Sequence, residues 1–339
     1  MKDLKNYSLK EHNTFGIDVK CSRFLEFKDD FEAEEVAAIL RKSKTPYIII
    51  GGGSNLLLTR DFDGIVVRSG IKGHYFEEGS LPGDHRMVCG SGEVFDDMVA
   101  ASIEAGYYGM ENLSLIPGDV GASAVQNIGA YGVEAKDIIL CVWMVEIQTG
   151  KTWMIGNEEC EYSYRQSRFK KDWRNRFLIT RVTYGLSKSF HPHLDYGNIR
   201  SELERKGISE PTARQLRDTV IEIRNAKLPD PKVMGNAGSF FMNPVITRSR
   251  YEKLAARYPD MPHYRVDSRH EKIPAGWMID QCGWKGKSLG RAGVHDKQAL
   301  VLVNRGGATG QEIVALSEAI QSDVKERFGI EIHPEVNIV

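Results

Sequence analysis

One hydroxyl stands apart in this chain. Ser239 lies in the run Asn236-Ala237-Gly238-Ser239-Phe240-Phe241-Met242-Asn243-Pro244, after Lys227-Leu228-Pro229-Asp230-Pro231-Lys232. Those prolines fix φ and remove two backbone donors. Gly235 and Gly238 let the chain turn sharply and come close to another group. Two readings stay open here: a serine that satisfies a Pro/Gly turn, or a reactive hydroxyl that Phe240 and Phe241 shield from water. A second candidate is Arg165, in Glu161-Tyr162-Ser163-Tyr164-Arg165-Gln166-Ser167-Arg168-Phe169-Lys170. Its planar fork matches the two oxygens of a carboxylate, although the segment also suits a solvated turn. The third is Glu335. Ile330, Ile332, Val336 and Ile338 alternate with Glu331, His333, Glu335 and Asn337, as on a strand with one apolar face. Pro334 marks that strand as an edge or a bulge. Glu335 is then either a solvated edge carboxylate or an acid facing a cleft.

Two glycine-rich segments offer places for a ligand. Pro46-Tyr47-Ile48-Ile49-Ile50 predicts a buried strand running straight into Gly51-Gly52-Gly53-Ser54-Asn55 and Leu56-Leu57-Leu58. Successive glycines after a strand expose backbone N–H groups in a tight turn, a cradle for phosphate; a flexible hairpin is the alternative. The segment from Ile116 to Gly132 interleaves small residues with hydroxyl and amide groups, which suits a backbone wrapped round a large planar or phosphorylated ligand. Tight packing explains Ala122 and Ala124 equally well. Two familiar phosphate motifs are absent. Gly90-Ser91-Gly92-Glu93-Val94-Phe95 ends in phenylalanine where a dinucleotide fingerprint has glycine, and Gln281 stands where a P-loop ending in Gly286-Lys287-Ser288 needs its first glycine.

The elements that must position these residues follow from periodicity. A helix is predicted over residues 30–44, capped by Asp30, with Phe31, Val36, Ile39 and Leu40 inward. Another covers residues 93–105. Residues 138–148 and 151–155 form a hairpin through Thr149-Gly150, and residues 177–184 form a strand that closes the first unit. Residues 186–192 read as a linker, and His191 and His193 as surface residues rather than a metal site. A helix starts near Ser209 with Pro211 in its first turn and turns Leu216, Val220 and Ile223 inward. Further on come a short helix at 275–282 and a strand at 298–304. A capping box, Thr309-Gly310-Gln311-Glu312, opens a helix ending near Phe328.

At 339 residues the chain calls for two or three domains. Its 41% hydrophobic and 27% charged content is that of a soluble globular protein. Forty-five basic against 46 acidic side chains argue against nucleic acid as the main partner, leaving room for a local phosphate pocket. The five cysteines show no metal spacing and read as reduced thiols. The polar first fifteen residues lack a signal peptide's apolar core, and no run approaches the roughly 18 apolar residues of a membrane span. A cytoplasmic protein with no membrane insertion is expected.

Taken in order, the glycine loop, the Ile116-to-Gly132 segment, Tyr162-Ser163-Tyr164-Arg165-Gln166-Ser167, Asn236-Ala237-Gly238-Ser239-Phe240-Phe241 and Pro334-Glu335-Val336 resemble the UDP-N-acetylenolpyruvoylglucosamine reductase family. These flavoenzymes make UDP-N-acetylmuramate for bacterial peptidoglycan. The resemblance covers nearly the whole chain. It implies an α+β fold: a vanillyl-alcohol-oxidase/PCMH-type FAD-binding domain over residues 1–190, in two subdomains of about 1–70 and 71–190, then a C-terminal α+β substrate-binding domain over residues 191–339 whose last strand returns Glu335 to the active site. It also implies the long form of the family, in which a tyrosine loop at Asp195-Tyr196-Gly197 closes over the substrate.

The implied cofactors are non-covalent FAD and NADPH as reductant. The implied partner is UDP-N-acetylglucosamine enolpyruvate, acted on by a monomer. FAD falls to Gly51, Gly52, Gly53, Ser54, Asn55, Pro117, Gly118, Gly121, Ala122, Ser123, Asn127, Ile128, Gly129 and Arg224. The substrate falls to Tyr131, Tyr196, Lys227, Asn243, Tyr264, Lys285 and Gln298. Ser239, Arg165 and Glu335 become catalytic. Met242 departs from the family's usual lysine, which bears on a polar contact there and not on the serine. Residue chemistry agrees: reducing an enolpyruvyl ether needs a hydride, which no side chain donates, and a proton, which a positioned hydroxyl can deliver. An oxidase of the same fold using O₂ explains the glycine loops but not Arg165, Ser239 and Glu335. A nucleotide-binding protein without redox chemistry is the rival from another class.

Overall fold

The computed structural model describes residues 1–339, and the chain divides into two compact units. One comprises residues 1–7, 21–52 and 62–224; the other comprises 8–20, 53–61 and 225–339. Residues 191–224 stay with the first unit because Ile199, Leu203, Leu216, Val220 and Ile223 form one apolar cluster with Tyr131, Phe190 and Leu194.

The first unit holds two larger sheets and a two-stranded one that pairs Gly129–Ala130 with Val133–Glu134. In the four-stranded one the order is Lys2–Ser8, Lys20–Phe27, Phe62–Ser69, Tyr47–Ile50, and the last three strands run parallel. Helix α1 (Asp30–Lys42) makes the crossover and buries Ala33, Val36, Ala37 and Leu40 against Leu25, Phe27, Ile65 and Val67. Its cap is Asp29, not Asp30: the Asp29 carboxylate accepts the Glu32 N–H at 2.8 Å. Phe31, expected inside, is 81% exposed, since the inward stripe is taken by the two alanines instead. The five-stranded sheet is antiparallel, in the order Thr152–Gly156, Ile139–Glu146, Phe177–Leu186, His85–Gly90, His74–Glu78. Its first pair is the expected hairpin, with Gly150 at φ +72° in the turn.

Two helices share a core with this sheet. α2 is Phe95–Glu104, and α3 is Val120–Gln126, a helix that the glycine-rich sequence of residues 116–132 did not suggest. Val120 and Ala124, four residues apart, both reach the core, which sets that turn as helix. Two further helices follow, α4 (Ile199–Arg205) and α5 (Ala213–Lys227). Pro211 precedes α5 rather than sitting in its first turn. Thr212 and Gln215 cap each other there, N–H to side-chain oxygen in both directions.

The second unit is built on a four-stranded sheet ordered Asn236–Ser239, Val301–Asn304, Ala292–Val294, Ser288–Leu289. α6 (Arg248–Arg257) accompanies a smaller sheet of Val245–Thr247, His270–Lys272 and Tyr264–Arg265. α7 (Ala275–Gln281) and α8 (Gly310–Phe328) complete the unit. The capping box of α8 forms as read: the Glu312 carboxylate accepts the Thr309 N–H, and the Thr309 hydroxyl accepts the Glu312 N–H. The expected strand over residues 330–338 shrinks to Asn337–Ile338, paired in parallel with Leu56–Leu57, plus a bridge between Phe241 and Pro334. Ile330, Ile332 and Val336 are buried as the alternation requires, while Ile338 is half exposed. Pro334 has no N–H to give a ladder, so the pattern persists in burial without a continuous strand. All five cysteines are free thiols, and no helix is long and apolar enough to cross a membrane.

Candidate functional site

In the second unit, Ser239 closes a bulged strand. Asn236 lies opposite Val303 and Ser239 opposite Val301, so the two intervening residues 237 and 238 face a single partner, Leu302. Buried Asn236 shapes the bulge. Its amide donates to the carbonyls of Pro229 and Met234 at 3.1 and 2.9 Å, and its carbonyl oxygen accepts the Gly238 N–H at 2.9 Å. Gly238 takes φ +67°. Ser239 is thereby delivered to the surface, exposed. The expectation that Phe240 and Phe241 shield it is corrected: both rings are fully buried, packed edge-on at 5.1 Å, and belong to the core.

The structure brings Ser239 and Glu335 onto neighbouring segments. The Glu335 N–H donates to the Phe240 carbonyl at 2.8 Å, and the Met242 N–H donates to His333 at 3.0 Å. The Asn55 amide donates to the Glu335 carbonyl at 3.3 Å, and Asn337 donates to the Asn55 carbonyl at 3.0 Å. The end of the glycine loop, Gly53-Ser54-Asn55, is therefore tied to the peptide that carries Glu335. Gly53 sits at φ +70°, and a Cβ there would overlap the His12 carbonyl. Of the other residues expected on the substrate side, Asn243 caps α7 by accepting the Ala275 N–H at 2.9 Å, and Gln298 accepts the Leu300 N–H at 3.3 Å. Lys285 pairs with Asp280 at 3.5 Å, Tyr264 is half exposed beneath the Lys272 ammonium, and Lys227 is exposed at the end of α5.

In the first unit, Gly51 and Gly52 pass so close to residues 118–122 that side chains do not fit. A Cβ on Gly51 would fall 3.0 Å from the Ala122 Cβ, and one on Gly52 2.9 Å from Asp119 Oδ1. Pro117 is exposed, and Gly118 takes φ +114°. Burial raises the Asp119 carboxyl above its ordinary range, against the pull of the Arg68 guanidinium at 3.2 Å. Gly121 packs on Ser91, and the Ser123 hydroxyl is occupied by the Val120 carbonyl and the Tyr184 hydroxyl, each at 2.7 Å. Asn127 is likewise engaged inward, donating to Glu134 and to the Ser163 carbonyl while accepting the Lys136 N–H. These side chains hold the segment; only their peptides are left to face a ligand.

Arg165 stands at φ +57°, in the left-handed region that non-glycine residues adopt only when their surroundings hold them there. Its guanidinium donates to the carbonyls of Gly129 at 2.7 Å and Asn127 at 3.4 Å, and the Lys170 ammonium holds its carbonyl at 2.9 Å. Ile128 packs on the core of the five-stranded sheet. Tyr131 is also left-handed, and burial lifts its phenol above the usual range with Arg224 opposing. Tyr196, 47% exposed, lies against Gly132, where a Cβ would come within 3.4 Å of its own. Sequence reasoning passed over Asn236, although its i-to-i+2 bond to the Gly238 N–H is a local signal, and Lys170, which also reaches Gln126 across 44 positions.

The C-terminal portion, residues 230–339, matches the family model described as UDP-N-acetylenolpyruvoylglucosamine reductase, C-terminal domain, and residues 22–156 match that of an FAD binding domain. A UDP-N-acetylenolpyruvoylglucosamine reductase of Bacteroides fragilis is 52% identical over 339 residues, 99% of each chain. Those of Pseudomonas aeruginosa and Flavobacterium johnsoniae are 46% and 44% identical over at least 97% of each chain. The chain belongs to the UDP-N-acetylenolpyruvoylglucosamine reductase family. The crystal structure of the Thermus caldophilus enzyme, at 21% identity, shares the fold with a TM-score of 0.68 over 99% of this chain and 98% of that one.

Membership makes the chain an FAD-containing oxidoreductase of α+β fold, with a PCMH-type FAD-binding domain ahead of the reductase family's C-terminal domain. Its own residues fit the cofactor. Gly51 and Gly52 let the glycine loop press against residues 118–122, which sets the peptide groups of both segments side by side. Arg224 carries a buried Nε with no hydrogen-bond partner, and burial pulls its guanidinium below the ordinary range, Tyr131 and Asp96 opposing. A cation with a buried, orphaned donor calls for an acceptor from a ligand.

Proposed function

We propose that this chain reduces UDP-N-acetylglucosamine enolpyruvate to UDP-N-acetylmuramate with NADPH, as a cytoplasmic monomer supplying peptidoglycan synthesis. The observation that supports the proposal is the backbone pairing of the segments that carry Ser239 and Glu335, the second of them tied to the end of the glycine loop. FAD, when bound by Gly51–Asn55, by the peptides of residues 117–129 and by Arg224, supplies the hydride chemistry that no side chain can. Ser239 gives its Oγ proton to the neighbouring carbon of the double bond and takes one back from water, for which its exposure suits it. Arg165 stabilises the charge that develops on the substrate carboxylate, and Glu335 in its protonated form donates a hydrogen bond to it. Tyr131, Tyr196, Lys227, Asn243, Tyr264, Lys285 and Gln298 hold the rest of the nucleotide sugar, with Tyr196 on a loop that closes over it. The flavin domain is assigned to residues 1–190 and the substrate domain to 191–339.

Colour tests this directly. The purified protein is expected to be yellow, to bleach with NADPH under anaerobic conditions and to regain colour on addition of the enolpyruvyl sugar nucleotide. Recovery with O₂ but not with the sugar nucleotide would make it an oxidase. A colourless protein that takes up no FAD would leave only a nucleotide-binding role.

A further inference from the structure

Thr14 is remote in sequence from every residue assigned above, yet it is bonded to two of their segments, and all three lie in the second unit. Its N–H donates to the Gly53 carbonyl at 3.1 Å, and its carbonyl accepts the Asn236 N–H at 3.0 Å. Its hydroxyl donates to the Asn236 carbonyl at 2.6 Å and lies 3.3 Å from the Gly53 carbonyl. One residue thus spans the end of the glycine loop and the start of the bulge that carries Ser239.

The ledge on which Thr14 stands is rigid. The side chain of buried Asn13 donates to the carbonyls of Leu9 and Ile17 and accepts the Ile17 N–H, all between 2.8 and 2.9 Å. Phe15 is buried edge-on to Phe240 at 6.4 Å, and its carbonyl accepts the Asn304 amide at 2.9 Å. Cβ atoms on Gly53 and on Gly235 would overlap the carbonyls of His12 and Phe15, so both partner segments press directly on this ledge. A threonine that merely finished its own turn would bond within a few residues. This one reaches across 222 positions.

We infer that Thr14 is a positioning residue for proton delivery: it fixes the Asn236-to-Ser239 bulge against Gly53 and so sets where the Ser239 hydroxyl stands. The inference rests on the reading of Ser239 as proton donor. Proton transfer from a weakly acidic hydroxyl depends on placement, so small displacements of the bulge are costly to rate.

The test uses the FAD-loaded full chain. Thr14→Val keeps shape and both peptide bonds but removes the hydroxyl; Thr14→Ser keeps the hydroxyl. In Thr14→Val, flavin content and bleaching by NADPH are expected to match wild type. Reoxidation by the enolpyruvyl sugar nucleotide should slow roughly tenfold. Hydrogen exchange at the Gly238 amide should quicken, and Thr14→Ser should restore both properties. Combined with Ser239→Ala, Thr14→Val should add no further slowing. Wild-type reoxidation in Thr14→Val overturns the inference, as does additive slowing in the double variant. Loss of flavin or of bleaching in step with reoxidation also overturns it, making Thr14 a scaffold residue. If Ser239→Ala is itself as fast as wild type, the reading of Ser239 falls and takes the inference with it; a slow Ser239→Ala beside a fast Thr14→Val removes the inference alone.

Discussion

Ser239 stands out of the core while the two phenylalanines after it go in, and the side chain of Asn236 shapes the bulge between them and the strand's start. In the first unit glycine governs the loop at residues 51–52. At Gly52 a Cβ would come 2.9 Å from a carboxylate oxygen of Asp119, so Gly52→Asp both displaces backbone and sets a second acid beside the first. That variant is expected to purify folded but largely colourless, measured as flavin absorbance per polypeptide. Normal flavin occupancy would remove the glycine loop from the cofactor site. Gly52 and Ser239 were legible because glycine and serine in such a setting announce themselves by type. Thr14 was not, because a side chain's partner on a distant segment leaves no trace in local spacing.

Elements were legible where their signals close over three or four residues. The Thr309-to-Glu312 box and the Thr149-Gly150 turn formed as read, since each is decided within one turn of chain. α3 and the last strand were misjudged because packing decided them: Val120 and Ala124 are drawn to a core, and Pro334 interrupts a ladder. The α8 cap carries a pH prediction. Its Glu312 carboxylate is held at about 2, against an ordinary 4.5, first by the Thr309 N–H and then by Arg291. A depressed carboxyl stabilises the fold above its ordinary range and loses that contribution as pH falls toward the folded value. The melting-temperature gap between wild type and Glu312→Gln should be steady near neutrality and close below pH 4.5. A gap independent of pH would mean that the charge adds nothing to the cap. The Tyr196 loop belongs at this scale too. Tyr196→Phe should raise the KM for the sugar nucleotide roughly tenfold, as for one lost hydrogen bond to a charged group, with flavin content intact. Equal losses in both would place the tyrosine in the fold instead.

At the scale of the whole molecule, the order of motifs carried the family, whereas the compact units did not follow the order of the chain. Residues 8–20 and 53–61 join the C-terminal unit, as their contacts with residues 235–236 and 304 and with the chain's last residues require. Such exchanges leave no compositional boundary to read. The proposed cycle has two separable halves, reduction of bound FAD by NADPH and reduction of the enolpyruvyl group, and a proton donor serves only the second. Rapid-mixing absorbance of the flavin under anaerobic conditions follows both halves in one sample. Ser239→Ala should bind FAD and bleach with NADPH at close to the wild-type rate, then reoxidise with the sugar nucleotide more slowly by on the order of 10²–10⁴, the usual contribution of a positioned acid. Reoxidation of Ser239→Ala at the wild-type rate would contradict the account, for the proton would then come from elsewhere.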